Sequence, residues 1–175
     1  MVGAVSADVV SQSAIDPPAI IGKLPGHGDF LARRVDYVLR EPLDRWMSDW
    51  IELARQELGD DFEAAYESAA PWLMESAAAN AVLMPSVDAV GRLYPVLAVC
   101  SSSAWTQDIY DALIQALDQG MLVDDLCGRL GELDQKGGDR ESTGKPEWFL
   151  PEGAELVLPN PSVPSSWTSV REHFA

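Results

Sequence analysis

The sequence predicts an α/β fold: a single domain whose mixed β-sheet is flanked by helices on both faces, a three-layer sandwich. Three observations point there. Short apolar runs of strand length and helical patterns follow one another as strand, helices, strands, helices, strand, rather than as clean βαβ repeats. One run, LYPVLAVC at residues 93–100, is almost wholly apolar, as a central strand covered on both faces must be. The chain of 175 residues, 47% hydrophobic and with six Trp, is long enough for one domain with a substantial core.

Residues 1–18 read as a disordered tail. They lack a positively charged start, and Asp8 and Asp16 interrupt any hydrophobic stretch, so no secretory leader is expected. Residues 19–24 form a short buried strand stopped by Pro25-Gly26, and Gly26 and Gly28 around His27 predict a tight turn. Residues 30–39 begin extended and run into a helix. The strongest helical pattern covers residues 42–58. Pro42 suits a first turn, Leu43, Trp46, Met47, Trp50 and Ala54 share one face, and Gly59 is placed to end it. A shorter helix is expected over 61–68.

Strands follow at Trp72–Glu75, 81–84 and 93–100, the last starting at or just after Pro95. Thr106 has the chemistry of an N-cap for a helix with Ile109, Tyr110, Leu113, Ile114 and Leu117 on one stripe, broken by Gly120. A further helical piece spans 122–130. Residues 131–146, polar and containing Gly137-Gly138, read as a flexible loop, and 148–150 and 155–158 as edge strands closing the sheet. The domain thus spans 19–158, and the Pro/Ser-rich residues 159–175 are expected to run over its surface.

Acidic residues number 28 against 12 basic ones, a net charge of −16. Such a chain repels nucleic-acid backbones and anionic membranes over about a Debye length, so a basic protein surface or a cation is the natural match. No apolar run approaches the roughly 20 residues that span a bilayer. Cys100 and Cys127 lie in apolar segments with no His or Cys at metal-ligand spacing, as free thiols of a reducing compartment do. A cytoplasmic location follows. The charge is uneven: five basic against four acidic residues between Gly22 and Arg45, then Arg55 alone against nine acids between Trp46 and Val90. That contrast suits a polarised docking surface.

Two stretches carry the chemistry, IIGKLPGHGDFLARR from Ile20 and VLMPSVDAVGRLYPV from Val82. Gly22-Lys23 is not a phosphate loop, because Pro17 holds the position of the first glycine and Leu24 that of the Ser/Thr. His27 and Asp29 offer two metal ligands where three or four are needed, and His173 is far away in sequence. GHGD is similar to the DGHGG turn of metal-dependent Ser/Thr phosphatases, but no acid precedes Gly26. Ser86 lies in no nucleophile elbow. Asp29 is expected to clamp local backbone N–H groups, with His27 an exposed turn residue. Asp88 is expected to bond the backbone around Val90-Gly91, with Arg92 pairing to Asp88 or Asp29. No catalytic set, metal site or cofactor site is complete.

The segments GKLPGHGDFLARR, LDRWMSDWIELARQELGDDFEAAY, APW and VLMPSVDAVGRLYPV, in this order from about Ile20 to Ala98, resemble the TagF family, also called ImpM, of type VI secretion-associated accessory proteins. The family's motif positions fall on Gly22, Lys23, Pro25, Gly28, Asp29 and Phe30, and on Pro85, Ser86, Asp88, Gly91, Arg92 and Pro95. Tyr94 stands where Phe is usual, and PWLM replaces an aromatic–Arg–Phe run. The resemblance implies a cytoplasmic, non-enzymatic repressor acting after translation by binding a secretion-system component such as the forkhead-associated scaffold, Fha. Lys23, His27, Asp29, Arg33, Arg34, Asp88 and Arg92 are the expected partner-binding residues. Two rival readings are a small metal-dependent hydrolase or phosphatase using His27, Asp29 and Asp88, and a structural component of the secretion baseplate.

Overall fold

The computed structural model describes residues 15–138 and 145–164. Its strands are β1 (Ile15–Gly22), β2 (Leu31–Val35), β3 (Trp72–Glu75), β4 (Asn80–Met84), β5 (Val96–Cys100) and β6 (Trp148–Phe149). Its helices are α1 (Tyr37–Leu58), α2 (Phe62–Ser68), α3 (Thr106–Gln119) and α4 (Val123–Lys136), with a 3₁₀ turn, Gly59–Asp61, joining α1 to α2. The strands form one sheet in the order β2-β1-β5-β4-β3-β6. The α/β domain with helices on both faces is as expected. The sheet, however, is antiparallel at every pairing rather than mixed. The pairs β1–β2, β3–β4 and β4–β5 are joined by turns and loops without a crossover helix, and such connections return the chain antiparallel.

Strand pleating divides the core in two. Ile21, Leu83, Leu97 and Val99 face α1 and α2, whose Leu43, Met47, Trp50, Phe62 and Tyr66 complete that cluster. Ile20, Val82, Val96, Ala98 and Cys100 face α3 and α4, meeting Ile109, Leu113, Leu126 and Leu130. Strands β4 and β5 are buried at all five positions, which explains their unbroken apolar sequences.

Several boundaries differ from expectation. β1 starts at Ile15, inside the expected tail, and its register breaks between Ile15 and Ile20. That irregularity is where Pro17 and Pro18, which cannot donate to a ladder, are accommodated. Residues 1–14 of the tail expected over 1–18 lie outside the described residues. α1 starts at Tyr37 and carries Pro42 inside it, because the Asp36 carboxylate accepts from Val38 N–H at 3.1 Å and caps the helix earlier. The carbonyl that Pro42 leaves unbonded belongs to the exposed Val38, where water can take it. Trp105, not Thr106, is the N-cap of α3; the Thr106 hydroxyl instead donates to Glu75 at 2.9 Å.

α4 continues to Lys136, through the start of the expected loop. Asp134 on its last turn accepts from Ser101 N–H and Ser101 Oγ, both at 3.0 Å, and burial raises its carboxyl pKa. Residues 139–144 of that loop lie outside the described residues. Trp148–Phe149 is an edge strand as expected, pairing with β3. Residues 155–158 form no strand, though Ala70 N–H bonds Leu156 O at 2.8 Å.

The described part of the C-terminal segment, 159–164, lies over α1. Trp50 Nε1 donates to Pro159 O at 2.7 Å and Trp46 Nε1 to Ser162 O at 2.9 Å. Trp50→Phe, which keeps the ring packing but strands a carbonyl, is expected to cost about 1 kcal/mol in urea titration. No helix among the described residues is long and apolar enough to cross a membrane.

Candidate functional site

The two Gly/Pro stretches meet at one end of the sheet, where β1 and β4 finish and β5 begins. Their meeting is organised by Asp88, whose side chain is fully buried. Oδ1 accepts from the backbone N–H groups of Val90 at 3.0 Å and Arg92 at 2.9 Å, the Asx-type turn expected there, and Gly91 supplies the φ of 81° that closes it. Oδ2 accepts from Lys23 Nζ at 3.1 Å and from Arg92 Nε at 2.5 Å. Burial by itself would raise this carboxyl pKa. The Arg92 N–H, the Lys23 and Arg92 side chains and the Val90 N–H outweigh it, and the group sits well below the ordinary carboxylate range.

The same residues tie the first turn to the second. Arg92 Nη2 donates to Gly28 O at 2.7 Å and approaches Asp29 at 3.9 Å, so both expected pairings of Arg92 exist. Ser86 Oγ donates to Lys23 O at 2.7 Å. Ala89 N–H bonds His27 O at 2.8 Å, and Lys23 N–H bonds Pro95 O at 3.2 Å. Lys23 Nζ also lies over the Tyr94 ring, 5.5 Å from its centre, within cation–π range. Tyr94 in turn donates to the Asp44 carboxylate of α1; burial, with that carboxylate beside it, raises its phenol pKa. Tyr66 of α2 donates to Ser86 O at 3.2 Å and accepts from Ser86 N–H at 3.1 Å.

Most of the charges singled out in sequence therefore hold the fold. Lys23 and Asp88 are interior, and Arg92 spans the turns. His27 is a tie rather than an exposed turn residue: its Nε2 accepts from Val123 N–H at 2.9 Å, fixing the first turn to the start of α4. Asp29, expected to clamp backbone, has a fully exposed side chain. His27, Asp29 and Asp88, the set a hydrolase would need, are thus bonded elsewhere or stand in solvent. Among the described residues no group of three or more His, Cys, Asp or Glu could hold a metal ion.

Arg33 and Arg34 belong to another surface. They lie exposed on β2, at one end of the sheet, beside a cavity of about 450 Å³ shared with Asp124, Cys127 and Gly131 of α4. Arg33 Nε meets Asp124 at 3.1 Å, a solvent-exposed pair of small energetic worth. Arg34 holds the left-handed conformation at φ 56°, uncommon outside glycine. The exposed Tyr37 and Val38 follow on the first turn of α1. Sequence reading missed Tyr66, Asp44, Val123 and Asp124 because each partner is remote along the chain.

The antiparallel three-layer arrangement defines an α/β domain also seen in the crystal structure of PA0076 from Pseudomonas aeruginosa PAO1. The two superpose with a TM-score of 0.57 at 22% identity, covering 87% of this chain and 75% of that one, a likeness of fold. A search of curated proteins gives no match. Residues 19–133 match the family described as TagF N-terminal domain, type VI secretion system-associated. The chain belongs to that family and is a type VI secretion-associated protein.

Proposed function

We propose that this protein is a cytoplasmic, non-enzymatic regulator that represses type VI secretion after translation by docking on a component of the apparatus, the forkhead-associated scaffold Fha being the expected partner. The observation that carries the reading is the division of labour among the charged residues. Lys23, His27, Asp88 and Arg92 are spent on interlocking the turns, while Arg33 and Arg34 stand exposed on the sheet edge beside Tyr37 and Val38. Exposed cations next to aromatic and aliphatic side chains are the makings of a protein interface.

Capture of the Fha-like scaffold by the full chain, at low and high salt, tests it. Salt-sensitive capture is expected, and Arg33→Glu with Arg34→Glu is expected to lower it at least tenfold while leaving the melting curve within about 2 °C of the parent, because the bonds lost, from Arg33 to Asp124 and Ala32 O and from Arg34 to Pro17 O, are all exposed. Undiminished capture by the double variant overturns the assignment of these arginines. Absence of capture by the parent overturns the choice of partner.

A further inference from the structure

We propose that a trough along one flank of α3, between that helix and the corner from α2 into β3, binds an extended basic segment of a partner protein. At one end lies a cavity of about 230 Å³ walled by Pro25, Pro85, Val87, Leu93 and Leu117, with Tyr66 and Glu67 at its side. At the other lies a cavity of about 370 Å³ between Tyr110, the small residues Ala69 and Ala70, and residues 151–156. The two follow one another along the chain and along the helix. Glu67 lines the first and Ser68 the second, while Leu117 and Tyr110 stand two turns apart on α3, about 10 Å along its axis. Between them Ile114, on the same stripe, is 42% exposed.

Charge selects the occupant. Glu67, Glu152 and Glu155 line the two cavities, and no Lys or Arg lines either. Glu63 stands one turn before Glu67 on α2, a like-charged pair at a spacing that disfavours the helix. Asp111 and Asp118 lie exposed beside Tyr110 and Leu117. A cationic segment gains on all of these, whereas a second copy of a chain with net charge −16 is repelled. Size selects the shape. Cavities of this volume take individual side chains rather than a helix of about 10–12 Å diameter, and 10 Å is the span of about three extended residues. The apolar cavity would hold a Leu, Met or Pro side chain, with Lys or Arg over the carboxylates. The first cavity borders the interlocked turns at Pro25, Ser86 and Leu93, and the second the start of β3; Arg33 and Arg34, on β2, line neither, so this inference is independent of the docking reading above.

Selection from a random dodecapeptide library displayed on phage, with the full chain as bait, tests it. Enriched peptides are expected to carry two or more Lys or Arg interleaved with Leu, Met or Pro, and synthetic copies to bind more weakly as salt is raised. Glu63→Lys with Glu67→Lys, both at exposed sites, is expected to weaken those peptides at least tenfold, whereas Arg33→Glu with Arg34→Glu leaves them unchanged. If the α2 reversals disturb folding, Glu152→Lys with Glu155→Lys, outside the helices and strands, gives the same readout. Enrichment of acidic or uncharged peptides, no enrichment, or equal binding by the folded charge-reversed variants overturns the proposal.

Discussion

Gly22→Ala is expected to abolish folding or to lower the melting temperature by about 10 °C or more, the signature of a backbone conflict rather than of a lost contact. A Cβ at Gly22 would stand 2.1 Å from Pro95 O and 2.9 Å from Val96 Cα, both backbone atoms that cannot rotate away. Its φ of 127° is one that side-chain-bearing residues rarely adopt. Relief would require parting β1 from β5 at the point where Lys23 N–H reaches Pro95 O, and β1 lies inside the sheet between β2 and β5. The damage would spread to the site, since Lys23 O receives the Ser86 hydroxyl and Lys23 Nζ meets Asp88. Gly28→Ala, whose Cβ would find nothing within 4 Å, is the control and should melt with the parent. Thermal unfolding followed by circular dichroism decides: a Gly22→Ala protein melting within about 2 °C of the parent contradicts this account of the β1–β5 pairing.

How much of this was legible in the sequence depends on the range of the interaction. Trp72–Glu75, the start of β5 after Pro95 and the end of α1 at Gly59 were legible, because each rests on an apolar run or a residue that forces a local outcome. The Asp88 turn and its pairing with Arg92 were legible for the same reason, the partners lying four residues apart. The start of α1 was misjudged because Pro42 looked like a beginning, whereas the Asp36 cap acts sooner. The end of α4 was misjudged because its polar last turn is held by Ser101 and Ser103, far away in sequence. His27 was misjudged because its partner, Val123, lies 96 residues on. Periodicity and turn chemistry report on neighbours along the chain; a charged residue's commitment to the interior is set by residues the fold brings from elsewhere. The family's motif residues Lys23, Ser86, Asp88 and Arg92 therefore form an interlock between the two turns, a role their spacing along the chain does not display.

Asp88→Asn separates the interlock from any partner surface. The substituted amide keeps one acceptor for the Val90 and Arg92 N–H groups, but it turns an NH₂ toward Lys23 Nζ and Arg92 Nε, which then face a donor instead of an anion. Lys23, whose side chain is 15% exposed, is left without its counter-charge. A fall of about 10 °C in melting temperature is expected at neutral pH. The pH dependence has a definite sign. A carboxyl held below its unfolded value near 3.9 adds stability that is fully present above that value and is lost as pH falls toward its folded value. The gap between parent and Asp88→Asn should thus be constant from about pH 5 to pH 8 and narrow below about pH 4. Urea titrations at pH 7 and pH 3 measure it, and a gap equally wide at both would show that the Asp88 charge is not what the turns use. Scaffold capture, corrected for the folded fraction, is expected to be unchanged in Asp88→Asn and reduced in the Arg33→Glu, Arg34→Glu protein. A corrected loss in Asp88→Asn would instead place the interlocked turns at the partner interface itself.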